Sequence, residues 1–152
     1  MTTSQDLSPA IEAQIRRSFD AQAMMVTLGA ALTGLGPGTA RIEAPILPGS
    51  RQQHGYAHAA LSFAIGDSAA GYAALGIMPE GSEVLTTEMK IHLLAPARGA
   101  RLIARGRVIK PGRRLVIVQG DVHAVEDGAE NEEGVETHVA LLTGTMMPLL
   151  PG

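Results

Sequence analysis

The sequence predicts an α+β fold in which a curled antiparallel sheet wraps one long apolar helix. Three observations predict it. The stretch 56–76, YAHAALSFAIGDSAAGYAALG, has apolar residues on every side when read at helical period, the pattern of a helix enclosed by other elements. The segments before and after it alternate apolar and polar residues over strand lengths, as half-buried strands do. Those segments follow one another through short turns, which favours antiparallel pairing.

In chain order, Ser8-Pro9 marks a helix start, with serine at the cap and proline in the first turn. Ile11, Ile15 and Phe19 follow at helical spacing, and Arg16 and Arg17 fall near the end, where cations suit the helix dipole. The run 24–35, MMVTLGAALTGL, reads as a strand and Gly36-Pro37-Gly38 as a turn. The run 39–46 is the next strand, with Ala40, Ile42 and Ala44 alternating with Arg41 and Glu43. A loop then leads to the central helix. Residues 83–96 alternate again, with Leu85, Met89, Ile91 and Leu93 on one face and Thr86, Glu88, Lys90 and His92 on the other. Strands over 100–110 and 113–126 flank a Lys110-Pro111-Gly112-Arg113 turn. An acidic loop, 127–136, reads as solvated surface, and 137–147 as the last strand.

A chain of 152 residues is expected to form one domain over 1–152, with residues 1–7 a flexible lead. The composition, 45% hydrophobic and 18% charged, is globular, and aromatics are only 3%, so aliphatic side chains must fill the core. A net charge of −3 argues against nucleic acid as a partner. With no cysteine, disulfides and thiol chemistry are excluded. The opening MTTSQDLSP is too polar for a secretory signal, so a cytoplasmic location is expected. His58, Ser62, Gly66, Asp67, Ser68 and Gly71 make the central helix a poor membrane span, and no membrane partner is expected. The histidines, at 54, 58, 92, 123 and 138, show no ligand spacing beyond the His54/His58 pair, so no metal is expected.

Two features of the central stretch carry chemistry. Asp67 is the only acidic residue between Glu43 and Glu80 and lies in apolar surroundings. A carboxylate there must be paired, protonated or used. Its bland alternative is a break at Gly66, with Asp67 capping a second helix. The other feature is the helix start. No Ser, Thr, Asp or Asn lies between Ser50 and Ser62, so the first turn lacks a conventional cap and has N–H groups to offer an anion. Gln52, His54, Gly55 and His58 surround it. His58 and Asp67, nine residues apart, differ by about 180° and roughly 13 Å along one helix. They can share a site only across a two-fold axis, which predicts an obligate dimer with composite sites.

The segment QQHGYAHAALSFAIGDSAAGYAA, followed by EVLTTEMKIHLLAPA, resembles the PaaI-like group of hotdog-fold acyl-CoA thioesterases. The shared features are a histidine opening the central helix, an acid nine residues later and a strand ending Leu94-Ala95-Pro96-Ala97. The resemblance spans about residues 16–148 in element order. It implies a hotdog fold with an extra N-terminal helix. It also implies hydrolysis of an acyl-CoA with no cofactor, coenzyme A being part of the substrate, by a homodimer or homotetramer. Asp67 matches the general base or nucleophile, and His58 the motif histidine. Ala59 matches the glycine whose N–H meets the oxyanion. Gln52 matches the residue orienting substrate or water, and Thr86 a hydroxyl holding the attacking water. Ala59-Ala60 stands where the family has Gly-Gly, which keeps the N–H and adds two methyl groups. In an alternative register His54-Gly55 is the motif pair. Ala60, Phe63, Ser68 and Thr87 are candidate substrate contacts. Arg105 and Arg107 are candidates for the nucleotide phosphates, beside the reading that Arg101, Arg105 and Arg107 form a solvated sheet face. A non-catalytic acyl-CoA sensor, or an enoyl-CoA hydratase on the same scaffold, is the alternative function.

Overall fold

The structure is a computed structural model that describes residues 6–126 and 134–152. The expected solvated loop falls largely on 127–133 and the expected flexible lead on 1–5, outside the described residues. The elements run α1 (Pro9–Ala21), α2 (Ala23–Thr27), β1 (Ala31–Gly36), β2 (Thr39–Pro45), α3 (Ala59–Leu75), β3 (Glu83–Leu93), β4 (Arg101–Lys110), β5 (Val116–Val125) and β6 (Glu136–Leu149). A 3-10 turn covers Pro48–Ser50. The six strands form one antiparallel sheet in the order β1-β2-β4-β5-β6-β3. It curls around α3, which packs on β2 through β6.

α1 starts where the sequence places it, with the Ser8 hydroxyl accepting the Ile11 N–H. Ile15 and Phe19 are its buried stripe. The run 24–35 is not one strand. Its first residues wind into α2, with Leu28 N–H bonded to Met24 O. The chain turns at Gly29, whose φ of +66° suits glycine, and only then enters β1. A short apolar run without strict alternation fits a helical turn as well as a strand. β2 follows its predicted alternation, with Ala40, Ile42 and Ala44 buried.

α3 is a single continuous helix through Gly66 and Asp67, so the two-helix alternative is excluded. It begins at Ala59, which leaves Tyr56 in the loop before it. Gly66 is there for packing. A Cβ on Gly66 would lie 2.8 Å from the Leu142 side chain, and one on Gly106 would lie 2.3 Å from the Ala69 backbone. The helix therefore rests almost directly on the sheet. Ala69, Ala70, Ala73 and Ala74 are fully buried there.

β3 corrects the predicted facing. Its pairing with β6 shifts between Thr86 and Glu88, a bulge that changes which side chains face the helix. Val84 and Thr86 face inward before it, Met89 and Ile91 after it, while Leu85 is exposed. Among the described residues no helix is long and apolar enough to cross a membrane.

Candidate active site

The start of α3 is held from two sides. Ala57 N–H donates to Ala97 O at 3.0 Å, and His58 N–H to Ser50 O at 2.9 Å. His58 is thereby the residue preceding the first turn, extended at φ −64°, ψ 144°. The expectation of an uncapped start is corrected here. His58 Nδ1 accepts the Ala60 N–H at 2.9 Å, doing what a serine or aspartate oxygen usually does. With Nδ1 accepting, the neutral ring carries its proton on Nε2. The exposed edge of His58 is then a hydrogen-bond donor.

The cap leaves one donor over. Leu61 N–H bonds to His58 O at 2.9 Å, whereas the Ala59 N–H has no partner among the described residues. Gln52 is nearby with its amide orientation fixed. Its Oε1 accepts the N–H groups of His54 (2.6 Å) and Tyr56 (3.2 Å), so its Nε2 is the end with hydrogens to give. The turn this closes needs Gly55, at φ +85°. His54 and Gly55 are both exposed, and they shape the loop that presents Gln52. Gln52, Ala59 and Ser62 line one side of a cleft of about 510 Å³, opposite Leu93, Leu94 and Pro96.

Arg98 is a residue that sequence reasoning missed. It donates to Tyr56 Oη at 2.8 Å and lies 4.8 Å over the Tyr56 ring, beside a cleft that Tyr56 lines. Its only signal was its place just after Pro96-Ala97. Arg105 and Arg107 lie on the outer face of the sheet, away from α3. Arg105 is engaged there with Glu136 at 2.7 and 3.0 Å, while Arg107 is exposed.

Asp67 lies on the outward face of α3, half-buried. Burial pushes its carboxyl pKa up, and a hydrogen bond from Thr86 opposes that rise. Thr86 Oγ1 donates to Asp67 Oδ1 at 2.7 Å. Thr87, on the bulge, instead donates to Thr145 O at 3.1 Å. Asp67 opens into a second, smaller cavity of about 260 Å³, lined also by Ser18, Gln22, Ser68, Gly71, Tyr72, Glu83, Val84 and Thr86. Ala60, Phe63 and Ala64 continue its outward face toward the helix start, with Ala60 and Phe63 exposed. Within one chain Asp67 and Thr86 line one cavity and Gln52 and Ala59 another, with His58 beside Ala59 at the helix start. No group of three or more His, Cys, Asp or Glu among the described residues could hold a metal ion.

A half-buried carboxylate can act as a general base, and an unused helix N–H can hold an oxyanion. The family model described as thioesterase superfamily matches residues 54–130. A thioesterase family protein from Silicibacter pomeroyi is 38% identical, with a TM-score of 0.86 over 93% of this chain and 99% of its own. The PaaI protein of E. coli, from the phenylacetic acid degradation operon, is 18% identical at a TM-score of 0.78, over 95% of this chain and 96% of its own. A Bacillus halodurans protein solved with CoA is 22% identical at a TM-score of 0.71, over 95% of this chain and 86% of its own. These last two likenesses are of fold alone. No curated protein matches the sequence. On the family match and the 38% identity together, the chain belongs to the thioesterase superfamily, and its fold is the hotdog fold.

Proposed function

We propose that the protein is an acyl-CoA thioesterase whose active site is assembled from two copies of the chain. The observation that carries this is Asp67, a half-buried carboxylate bonded to Thr86 on a helix face that the described residues of its own chain cover only in part. The donors it needs, Ala59 N–H and the Gln52 amide, are at the far end of the same helix. A two-fold axis beside α3 brings one chain's helix start to the other's carboxylate. An open sheet edge supports such pairing. β3 is an edge strand of 11 residues, and a long open edge invites another strand. Phe63, 38% exposed on α3, adds an apolar anchor.

In the assembled site the thioester carbonyl oxygen takes the Ala59 N–H and the Gln52 amide, with the His58 Nε2–H at its edge. Thr86 occupies Oδ1, which leaves Oδ2 of Asp67 to remove a proton from water. The water oxygen bonds to the carbonyl carbon, and the oxyanion is held by the helix-start donors. Collapse breaks the carbon–sulfur bond. The thiolate takes up the proton, giving a carboxylic acid and coenzyme A. The Bacillus halodurans neighbour with CoA supports a CoA thioester here, and Arg98, beside the cleft at the helix start, is the cation placed for its phosphates.

The test is thiol release from an acyl-CoA panel, free of protein background because the chain has no cysteine. Asp67→Asn is expected to lower the rate about 10²–10⁴-fold. Ala59→Pro deletes one N–H at a position where proline suits the helix and where His58 already has the backbone proline demands; it is expected to cost about 10²–10³-fold. Refolding the two inactive variants together restores one intact site per heterodimer, about a quarter of wild-type activity. No recovery on mixing refutes the shared site. Unchanged turnover in Asp67→Asn refutes the catalytic carboxylate, and tight binding without wild-type turnover makes the protein an acyl-CoA sensor.

A further inference from the structure

The cavity that holds Asp67 is more polar than an alkyl chain requires. Its inner end is built by Tyr72, 4% exposed, and by two residues from α1 and its C-terminal edge. Gln22 Nε2 donates to Tyr72 Oη at 2.6 Å, and Ser18 Oγ lies 3.1 Å from the same oxygen. A phenol has one hydrogen and two acceptor sites, so two partners leave one of the three unused. The Gln22 Oε1 and the Ser18 hydroxyl have further capacity, with no other bond among the described residues. Burying such groups in contact with an alkyl chain leaves them unsatisfied.

The direction of binding follows from charge and room. The carboxylate must reach the thioester carbonyl, so one side of the thioester enters this cavity and the other leaves it. The coenzyme side is long and ends in phosphates that need cations and water. The cavity has about 260 Å³ and is lined, among the described residues, by two carboxylates, Asp67 and Glu83, and by no cation. The acyl side goes in. From Asp67 to Tyr72 the helix rises about 7.5 Å, which limits the chain to a short one. Gly71, between them, leaves the path open, a Cβ there meeting nothing closer than 3.8 Å.

We infer that the Tyr72–Gln22–Ser18 group is an acyl-end subsite. It selects short acyl chains that carry a neutral hydrogen-bonding group, a hydroxyl or carbonyl, at the end remote from the thioester. This rests on the thioesterase reading. A terminal carboxylate is disfavoured by Glu83 and Asp67. A plain alkyl end leaves the tyrosine unpaired. α1 thereby acquires a purpose beyond packing. It is pinned at its middle, where the Gln14 side chain bonds Ser82 O at 2.6 Å and the Gly81 N–H at 3.1 Å, and this fixes the helix that positions Ser18.

The experiment measures binding of non-hydrolysable thioether analogues of acyl-CoA. Four-to-six-carbon chains are compared with a plain, a terminal-hydroxyl and a terminal-carboxylate end, and turnover of the matching thioesters is followed separately. Wild type is expected to bind the hydroxyl analogue about tenfold or more tightly than the plain one. It is expected to bind the carboxylate analogue worst. Tyr72→Phe keeps the ring and its edge contact with Phe19 and should collapse that ratio toward one. Gln22→Met, at a half-buried position outside the core, should reduce it in a protein whose fold is not in question. A wild-type ratio near one, or a ratio untouched by both variants, overturns the subsite while leaving the thioesterase reading standing. A preserved ratio without turnover keeps the subsite and removes the hydrolysis. Failure to bind any of the three overturns both.

Discussion

The two faces of α3 are nearly alike in composition and opposite in circumstance. The inward face, Ile65, Gly66, Ala69 and Ala73, is closed against β4, β5 and β6 to the point that Gly106 touches helix backbone. The outward face, Ala60, Phe63, Ala64, Asp67 and Ser68, is just as poor in polar atoms apart from its last two residues, yet it is open. Hydrophobicity does not tell these faces apart. What separates them is the size of the opposing residues. Glycines and alanines mark the side where backbone meets backbone, while a phenylalanine and a carboxylate mark the side waiting for something larger. One face of the helix serves stability, and the other is the one the proposed function gives to association and chemistry.

The largest effect expected from this contrast is on the closed face. Gly106→Val puts branched carbon where the Ala69 carbonyl already lies. Since the obstacle is backbone rather than a side-chain tip, relief requires the helix to lift off the sheet. A loss of about 3 kcal/mol or more is expected in denaturant unfolding. A variant of wild-type stability would show that the helix is looser on the sheet than its glycines imply. The open face should behave differently. Phe63→Lys is expected to leave the unfolding midpoint of the monomer within about 0.5 kcal/mol. It should abolish the dimer in analytical ultracentrifugation, with activity lost in proportion. A dimer that survives the lysine places the two-fold axis elsewhere.

Much of this contrast was legible in the sequence, and the parts that were not share a physical cause. The central helix, its acid, the hairpin arm 39–45 and the strands after the helix followed from periodicity and turn residues. Periodicity could not tell which apolar face of the helix would be covered, because covering is a property of partners distant in sequence. The bulge at Thr86–Glu88 was invisible for the same reason. The alternation of 83–96 reads from Leu85 to Leu93 with Thr87 as its one polar interruption, and only the pairing with β6 reveals the shift that turns Thr86 toward Asp67. The start of β1 was missed because Met24, Met25 and Val26 fit a turn of helix as well as a strand. The histidine cap escaped notice because cap preference points to oxygen side chains, and Nδ1 substitutes for them only when the backbone is held in place, here by Ser50 and Ala97. The Tyr72–Gln22–Ser18 group joins residues 50 and 54 positions apart in sequence, beyond the reach of any local pattern.

The smallest expected effect is also the most specific to the open face. Burial lifts the Asp67 pKa and the Thr86 hydroxyl holds part of that lift back. As a general base Asp67 must be ionised, so activity should fall as pH drops through its raised value. Thr86→Val keeps the shape and removes the hydrogen bond that favours the ionised form, so the acid limb of the rate profile should move to higher pH. Stability should run the opposite way with pH. Because the folded carboxyl holds its proton more tightly than the unfolded one, the native state binds more protons between the two values. Stability is therefore lost as pH rises through that window. Thr86→Val should widen the window upward and Asp67→Asn should abolish it, flattening the stability profile there. An acid limb that stays put in Thr86→Val, with stability unchanged, would mean that the threonine hydroxyl serves Met146 Sδ, 3.3 Å away. The carboxylate on the open face would then be tuned by burial alone.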